Sequence, residues 1–421
     1  MKFNEYKHLD LTKIAEEILA FWKAANIFEQ SITSREGAIP FVFFEGPPSA
    51  NGVPGIHHVM ARSIKDIFCR YKTQKGFQVK RKAGWDTHGL PVELGVEKEL
   101  GITKEDIGKK ISVEDYNKAC KEAVMRYTDI WNDLTEKIGY WVDMEDPYIT
   151  YKPKYMESVW WLLKQLYNKQ LLYKGYTIQP YSPKAGTGLS SHELNQPGCY
   201  RDVSDTTVVA QFKVKALAAA ASKALGNPTA PIHILAWTTT PWTLPSNTAL
   251  AVGKEIEYVL VKTFNQYTFE PITIIIGKPL LAKQFGKKFV EGDATALAAY
   301  TPESKTIPYQ VLGECKGADL VGTTYEQLIP WCAPAENADQ AFRVIAGDFV
   351  TTDDGTGIVH IAPTFGADDA RVAKEYGVPP MLVKDAHGNL IPLVDLQGKF
   401  ITGHNIPEAF AGKYIKNEYY D

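Results

Sequence analysis

A loop rich in glycine and proline at residues 46–55 has the composition of a nucleotide-binding loop. It follows a continuous apolar run at residues 40–45 and precedes a helical pattern that begins near His57 and His58. Small residues let the backbone approach a base or a phosphate closely, and a helix N-terminus offers free N–H groups to an anion. The two histidines could donate to phosphate oxygens while a triphosphate reacts. A structural turn with two surface histidines accounts for this loop equally well.

A second loop, at residues 84–93, places the carboxylate of Asp86 after the next predicted strand, at about residues 77–82. The chain thus begins as an α/β unit in which both loops lie at the carboxyl ends of strands. Open α/β sheets bind their ligands at that edge. Asp86 is therefore a candidate for holding a cationic group in the crevice that the first loop faces. The alternative is a loop carboxylate that makes an Asx turn.

The elements beyond these loops are predicted from periodicity. Asp10 is expected to cap a helix that runs to about residue 26, and residues 112–172 have helical patterns, with Ser112 as a cap. From about residue 201, short β-rich runs separated by turn residues predict a mostly β domain or barrel. These runs are at residues 208–214, 233–237, 272–276, 342–346 and 357–361.

Composition limits the class of protein. The chain has 421 residues, 45% of them hydrophobic, and a net charge of −3, so it suggests two or three domains without a strongly basic face. Its five cysteines form no closely spaced pair, which argues against a disulfide scaffold or a zinc finger. No run is long enough for a membrane span, and residues 1–5 lack the apolar region of a secretory signal. We expect a cytoplasmic, monomeric protein without a membrane partner.

The two loops together carry a resemblance to a known family. The first reads Gly-Pro-Pro-Ser-Ala-Asn-Gly at residues 46–52, and the second reads Trp-Asp-Thr-His-Gly-Leu-Pro at residues 85–91. From about Tyr6 to its end, the chain resembles the isoleucyl-tRNA synthetases, which are class I aminoacyl-tRNA synthetases. The leucyl and valyl relatives differ at the Thr-His positions of the second loop.

The resemblance implies an ATP-dependent ligase whose substrates are ATP with Mg²⁺, L-isoleucine and tRNA(Ile). Asp86 would hold the ammonium group of the amino acid and so orient its carboxylate toward the α-phosphate. The residues implied to line the ATP and amino-acid site are Gly46, Pro47, Pro48, Asn51, Gly52, Gly55, His57, His58 and Asp86.

One segment departs from the family's pattern. The family's phosphate motif is His-x-Gly-His, whereas this chain has Gly55-Ile56-His57-His58. The second histidine is kept as His58, the first is replaced by Gly55, and His57 stands at the position of the glycine. A shifted His57 could supply the missing donor, so we expect a working variant rather than an inactive site.

A zinc site of the family is expected to be absent. Many relatives carry Cys-x-x-Cys where this chain has Ser182 and Ala185, and neither residue replaces a soft thiolate ligand. His192 alone cannot hold the metal, so the sequence predicts no metal ligands and no zinc in this segment.

The β-rich region resembles the family's editing domain at residues 237–247 and 355–369. An apolar pocket gains only about 1–3 kcal/mol from one methylene, as the handling of isoleucine and valine by these enzymes illustrates, so valine must be removed at a second site. By resemblance, Asp369 would bind the ammonium of misacylated valine, and His360 would shape the pocket or be a satisfied core histidine. Asp368 is expected to be solvated. The residues implied in hydrolysis are Thr238, Thr239, Thr240, Asn247, His360 and Asp369.

The implied architecture is the first half of a doubly wound, Rossmann-like nucleotide-binding domain with an inserted, mostly β, barrel-like editing domain. The expected segments are an N-terminal helix and first strand at 1–45, the half-domain with a helical connection at 46–200, the editing (connective-peptide) domain at 201–400 and a truncated return segment at 401–421. No Lys-Met-Ser-Lys-Ser loop or anticodon-binding region is present. We therefore expect an N-terminal fragment that is not competent for aminoacylation alone.

Two other functions remain open from the sequence. The first is a free-standing hydrolase of misacylated tRNA, against which the loops at 46–52 and 84–93 argue. The second is a non-enzymatic relative that binds nucleotide or tRNA, and only the altered histidine motif favours it.

Overall fold

The computed structural model describes residues 8–175, 177–182 and 185–416. The chain forms two compact units, Met1–Gly175 and Tyr176–Asp421. The division falls before the predicted start of the β-rich domain at residue 201, and residues 177–181 line a cavity with other residues of the second unit. The functional boundaries at 46, 201 and 401 stay predictions. The expectation of no secretory signal concerned residues 1–5, which lie outside the described residues. The end of the return segment, residues 417–421, also lies outside them.

The α-helices of the described residues are as follows: α1 Leu11–Ala24, α2 Ile27–Thr33, α3 Ile56–Gln74, α4 Leu90–Leu100, α5 Val113–Val124, α6 Thr128–Lys137, α7 Pro153–Asn168, α8 Ser191–Leu194, α9 Ala219–Ala224, α10 Leu281–Phe285, α11 Ala294–Ala298, α12 Gly317–Leu320 and α13 Ala367–Tyr376. Within this part of the chain, no helix has both the length and the apolar character that crossing a membrane requires.

The strands of the described residues are as follows: β1 Pro40–Phe44, β2 Gln78–Trp85, β3 Asp143–Ile149, β4 Tyr181–Ser182, β5 Thr187–Gly188, β6 Val208–Ala216, β7 Ile232–Thr238, β8 Ala249–Val252, β9 Glu257–Phe264, β10 Pro271–Gly277, β11 Phe289–Glu291, β12 Ile307–Lys316, β13 Thr324–Tyr325, β14 Arg343–Ala346, β15 Ile358–Ile361, β16 Leu382–Lys384 and β17 Leu390–Pro392.

The first unit is built on a parallel sheet with the strand order β1-β2-β3. The predicted alternation of strands, loops and helices is confirmed: α3 connects β1 to β2, and α4 follows the loop after β2. Asp10 caps α1 by accepting from the Lys13 backbone N–H at 3.1 Å, as predicted. Both candidate loops thus leave the carboxyl ends of adjacent parallel strands.

The expectation that residues 112–172 are helical is wrong in part. Ser112 caps α5, where its hydroxyl accepts from the Asp115 backbone N–H at 3.0 Å. However, β3 interrupts the helices. Gly139, at a φ of 66°, ends the helical stretch, and the residues after it pair with β2 instead. Pairing with a neighbouring strand is a tertiary effect, and local periodicity does not report it.

The second unit contains a ten-stranded mixed sheet with the order β11-β12-β9-β10-β7-β6-β13-β14-β8-β15. Parallel ladders join β10 to β7, β11 to β12 and β14 to β8, and the other ladders are antiparallel. The predicted β-rich runs correspond to β6, β7, β10, β14 and β15. In the described residues no ladder closes the sheet, so the barrel stays a prediction.

Two connections of this sheet bring distant residues together. A 3-10 helix at Pro241–Ser246 follows β7 and leads into β8. The antiparallel partner of β8 is β15, and the pairing sets His360 opposite Leu250. The chain then turns into α13. The end of β7, the 3-10 helix and the start of α13 therefore lie around one end of β8 and β15.

Candidate functional site

The loop at residues 46–55 is held by hydrogen bonds to its carbonyl groups. The backbone N–H of Asp86 donates to the Pro48 carbonyl at 3.0 Å, and the indole N–H of Trp131 donates to the Gly52 carbonyl at 2.8 Å. The first bond joins the two candidate loops directly. The two loops are therefore in contact, and that they face one crevice stays a prediction.

The base of this loop contains a polar cluster that the sequence analysis missed. Glu45, the residue after β1, is only 3% exposed, and its carboxylate accepts from Lys65 Nζ and from the Tyr140 hydroxyl. The Tyr148 hydroxyl donates to the Glu45 carbonyl. Burial, followed by the bond to Glu45, raises the pKa of Tyr140, so this hydroxyl remains a donor. The one signal in the sequence that could have identified this cluster was an acidic residue directly after the apolar run at residues 40–44.

The start of α3 shows how the altered histidine motif is arranged. Gly55 is the N-cap residue, and its backbone N–H donates to Nδ1 of His58 at 2.9 Å. The ring of His57 lies over Gly55, where a Cβ atom would be 2.8 Å from His57 Cε1. The two histidine rings have their centroids 3.8 Å apart. Glycine at position 55 is therefore what lets His57 fold back over the helix start.

The electrostatic environment favours a neutral His58. Burial first, and then the neighbouring His57, Arg62 and Lys65, lower the pKa of His58. Because Nδ1 accepts from a backbone N–H, the single proton of the neutral ring is on Nε2. His58 can therefore present an Nε2–H donor.

Asp86 follows β2 directly, and the alternative contact considered for it is present. Its Oδ1 accepts from the His88 backbone N–H at 3.3 Å, which is an Asx turn. The described residues place no cationic side chain within ion-pair distance of this half-exposed carboxylate, so it retains capacity to accept from a ligand. The adjacent Thr87 and His88 side chains both contact the Thr150 hydroxyl, at 2.7 and 3.0 Å, and they hold the loop in place.

In the second unit, the predicted threonines differ in their surroundings. Thr238 is buried, and its hydroxyl accepts from the Thr240 backbone N–H at 3.0 Å. The hydroxyls of Thr238 and Thr240 are 3.2 Å apart. Thr239 is exposed. Thr238 and Thr240 are therefore mutually positioned, whereas Thr239 is open to solvent.

Thr243 joins this cluster to His360 and was not among the predicted site residues. Its hydroxyl donates to the Thr240 carbonyl at 2.8 Å and lies 3.0 Å from His360 Nε2. The Thr-x-x-Thr spacing across one turn of 3-10 helix was the signal that could have identified it.

His360 is 6% exposed, and burial lowers its pKa to about 4. Its Nδ1 is buried and has no hydrogen-bond partner among the residues that the structure describes. The ring is thus neither solvated nor the fully satisfied core histidine that was the alternative. Both segments predicted from the sequence meet at this ring.

Asp369 lies in the first turn of α13, where one carboxylate oxygen accepts from the Ala362 backbone N–H at 2.8 Å. Burial raises the pKa of Asp369, an effect that the Ala362 bond opposes and Asp368 reinforces. A Cβ on Gly366 would lie 2.7 Å from the carboxyl carbon, so this close approach requires glycine. The prediction that Asp368 is solvated is confirmed, since its side chain is 75% exposed beside Arg371 at 3.7 Å.

Asn247 has the contacts of a structural residue. Its amide nitrogen donates to the carbonyls of Ala249 at 2.8 Å and Ile361 at 3.4 Å, and its oxygen accepts from the Tyr325 hydroxyl at 2.8 Å. The side chain is 3% exposed. Both polar atoms of the side chain are thus engaged with the protein, and they link β8 to β13 and β15.

A cavity of about 570 Å³ adjoins both segments of the second unit. Trp242 lines it from the first segment, and Thr364, Phe365 and Ala367 line it from the second. Its other walls include Tyr181 and Asp395. The cavity is large enough for a small ligand.

The predicted zinc-free segment is described in part. The Ala185 backbone N–H donates to the Ser182 hydroxyl at 3.2 Å, while residues 183 and 184 lie outside the described residues. Within the described ranges no group of three or more His, Cys, Asp or Glu side chains could hold a metal ion. The absence of zinc stays a prediction.

Comparison with known proteins gives one family match. Residues 17–349 match the family described as tRNA synthetases class I (I, L, M and V).

Two similar relatives are isoleucine–tRNA ligases. An isoleucine–tRNA ligase of Porphyromonas gingivalis is 61% identical over 436 residues, and one of Bacteroides fragilis is 62% identical over 431 residues. Each alignment covers 99% of this chain and 37% of the relative, so the chain spans little more than a third of their length. A solved ternary complex of a LeuRS from Agrobacterium radiobacter K84 is 16% identical in sequence and has a TM-score of 0.35. The match covers 90% of this chain and 44% of the LeuRS chain, and a likeness this weak carries no argument.

Proposed function

The chain belongs to the class I tRNA synthetases (I, L, M and V), and from this premise we propose that it is part of an isoleucine–tRNA ligase. The observation that carries the proposal is the hydrogen bond between Asp86 N–H and the Pro48 carbonyl, which sets beside the glycine-rich loop a carboxylate that no cationic side chain of the described residues pairs with. The identity of 61–62% to isoleucine–tRNA ligases supports the choice of amino acid.

In the activation reaction, the first unit binds ATP, with Mg²⁺, and L-isoleucine. The phosphates bind at the start of α3, where backbone N–H groups and the Nε2–H of His58 can donate to them, with His57 as a second donor. Asp86 binds the amino acid's ammonium group and so orients its carboxylate for attack on the α-phosphate. The adenosine and amino-acid contacts come from the loop residues Gly46, Pro47, Pro48, Asn51, Gly52 and Gly55.

In the editing reaction, the second unit hydrolyses valine from misacylated tRNA(Ile). Asp369 binds the ammonium of the valyl group, in a partly buried position where Coulomb attraction is stronger than in water. The hydroxyls of Thr238, Thr239 and Thr240 position the ester and the attacking water, and His360 limits the size of the pocket. The cavity beside Trp242 and Phe365 offers room for the tRNA terminus.

The finer features of the protein are also proposals. The mixed sheet is a barrel-like editing insertion in a doubly wound nucleotide-binding domain. The protein acts in the cytoplasm as a monomer, with tRNA(Ile) as its macromolecular partner and without zinc in this segment.

The test of activation is ATP–pyrophosphate exchange by the longer protein that contains this chain. We expect exchange that depends on isoleucine and is abolished by Asp86→Ala, because the ammonium loses its carboxylate. Asp146→Ala, which removes an exposed carboxylate paired with Lys82, is the control and should exchange normally. Normal exchange by Asp86→Ala would refute the assignment.

A further inference from the structure

The hydrogen bonds around Thr243 determine which nitrogen of His360 carries a proton. A threonine hydroxyl has one proton, and that of Thr243 is directed at the Thr240 carbonyl, 2.8 Å away, which can only accept. The same hydroxyl oxygen lies 3.0 Å from His360 Nε2. With the hydroxyl proton on the Thr240 carbonyl, the oxygen faces the ring with a lone pair, and Nε2 is then the donor.

Burial completes the assignment. The imidazole of His360 is neutral at physiological pH, since burial lowers its pKa to about 4. A neutral ring has one N–H group, and the bond to Thr243 places it on Nε2. Nδ1 is then a bare acceptor, buried and without a partner in the described part of the chain.

An unpartnered buried acceptor is costly, so the position is expected to be filled by a donor when the site is in use. The hydroxyl of Thr240 lies 3.4 Å from that of Thr243 and 3.2 Å from that of Thr238, so the hydrogen bonds continue from Thr243 to Thr238. The proton positions of the ring and of the threonine cluster are thus coupled through one side chain.

We propose that Thr243 is a positioning residue that fixes the His360 proton on Nε2 and thereby keeps Nδ1 as the acceptor for an O–H donor in the editing site. The role at the editing site rests on the proposed function, whereas the protonation pattern does not. The O–H donor is either a water molecule or a hydroxyl of the terminal ribose of the tRNA.

The spectroscopic test uses the 421-residue chain with ¹⁵N-labelled histidine at neutral pH. Thr243→Val keeps the side-chain shape without the hydroxyl, and Thr243→Ser restores the hydroxyl. We expect a hydrogen-bonded, slowly exchanging Nε2–H and an unprotonated Nδ1 in the wild type and in Thr243→Ser. Thr243→Val should lose the protected Nε2–H signal. A proton on Nδ1 in the wild type, or a protected Nε2–H signal in Thr243→Val, would overturn the proposal.

A second measurement separates the two sources of the donor. A stable analogue in which valine is joined to adenosine by an amide is added, with and without its free ribose hydroxyl. A shift of the Nδ1 resonance that requires the ribose hydroxyl identifies the ribose as donor, and a hydrogen-bonded Nδ1 resonance already present without analogue identifies water. An Nδ1 resonance typical of a free lone pair in every sample contradicts the acceptor role.

Hydrolysis supplies the functional readout. Thr243→Val should deacylate valyl-tRNA(Ile) roughly tenfold more slowly than the wild type, as expected for one lost hydrogen bond, and Thr243→Ser should recover most of the rate. Equal rates in all three proteins would refute the functional part of the proposal. If the wild type itself hydrolyses no valyl-tRNA(Ile), the proposed function fails, while the histidine spectra still test the protonation pattern.

Discussion

At the scale of single residues, burial shifts the pKa values of the two titratable side chains of the second unit's site in opposite directions. It keeps His360 neutral by lowering its pKa, and it raises the pKa of Asp369, whose carboxylate also accepts the Ala362 N–H. Asp368, one residue away, is solvated and paired with Arg371. Neighbouring carboxylates of one helical turn thus have different capacities to bind a ligand.

This difference predicts the effect of removing each carboxylate. Asp369→Asn should slow valine release from valyl-tRNA(Ile) by roughly 10- to 100-fold, because a charge-assisted hydrogen bond of about 1.5–3 kcal/mol is lost. Asp368→Asn is the matched control and should keep the wild-type rate. The test compares the deacylation rates of the two variants side by side. An equal loss of rate in both would show that the rate depends on the start of α13 in general and not on Asp369.

The lowered pKa of His360 also predicts a pH dependence of stability. Above pH 6.5 the ring is neutral in both folded and unfolded states, whereas between pH 6.5 and about 4 only the unfolded state takes up the proton. The free energy of unfolding should therefore decrease as the pH falls through this window, by about 2 kcal/mol between pH 6.5 and 5 from this residue. Urea unfolding of the wild type and His360→Asn measures the difference. An identical pH dependence in the two proteins would contradict it.

At the scale of elements, local rules predicted the parts that local interactions form. The Asp10 and Ser112 caps, the strand–loop–helix order around β1 and β2, and the runs of the mixed sheet all follow from short-range patterns. The strand β3 and the cluster at Glu45 were not predictable in this way. Glu45 is paired with Tyr140 and Tyr148, about a hundred residues away, and such pairings exist only after the sheet has formed.

The start of α3 gives an element-scale prediction. In the longer protein that contains this chain, Gly55→Ala should raise the KM for ATP in isoleucine-dependent ATP–pyrophosphate exchange by about tenfold, because a Cβ 2.8 Å from His57 must displace that ring. Gly95→Ala, in the middle of α4 with no atom near the added methyl, is the control and should leave the KM unchanged. The same KM in Gly55→Ala as in the wild type would show that the His57 position does not serve ATP.

At the scale of the whole molecule, the two units divide the predicted chemistry between them. Asp86 and the glycine-rich loop lie in Met1–Gly175, and the threonine cluster, His360 and Asp369 lie in Tyr176–Asp421. The sequence analysis named Asp86 and the glycine-rich loop in the first group and Thr238, Thr240, His360 and Asp369 in the second, and their roles stay predictions. It missed Thr243 and did not reveal the structural contacts of Asn247, because both depend on how β8, β13 and β15 pair.

The zinc content of the whole chain can be predicted from the segment that contains Ser182 and Ala185. Protein purified without chelators should contain far less than one zinc per chain, because a hydroxyl and a methyl group cannot replace two thiolates. Elemental analysis measures this directly. About one zinc per chain would show that other ligands complete a site.

The central claim is that this chain contains a site that distinguishes valine from isoleucine on tRNA(Ile). The measurement that tests it most directly is deacylation of valyl-tRNA(Ile) and isoleucyl-tRNA(Ile) by the 421-residue chain under identical conditions. The account predicts hydrolysis of the valyl ester and sparing of the isoleucyl ester, since a pocket sized for valine excludes one further methylene. Equal rates for the two esters, or hydrolysis of neither, would contradict it.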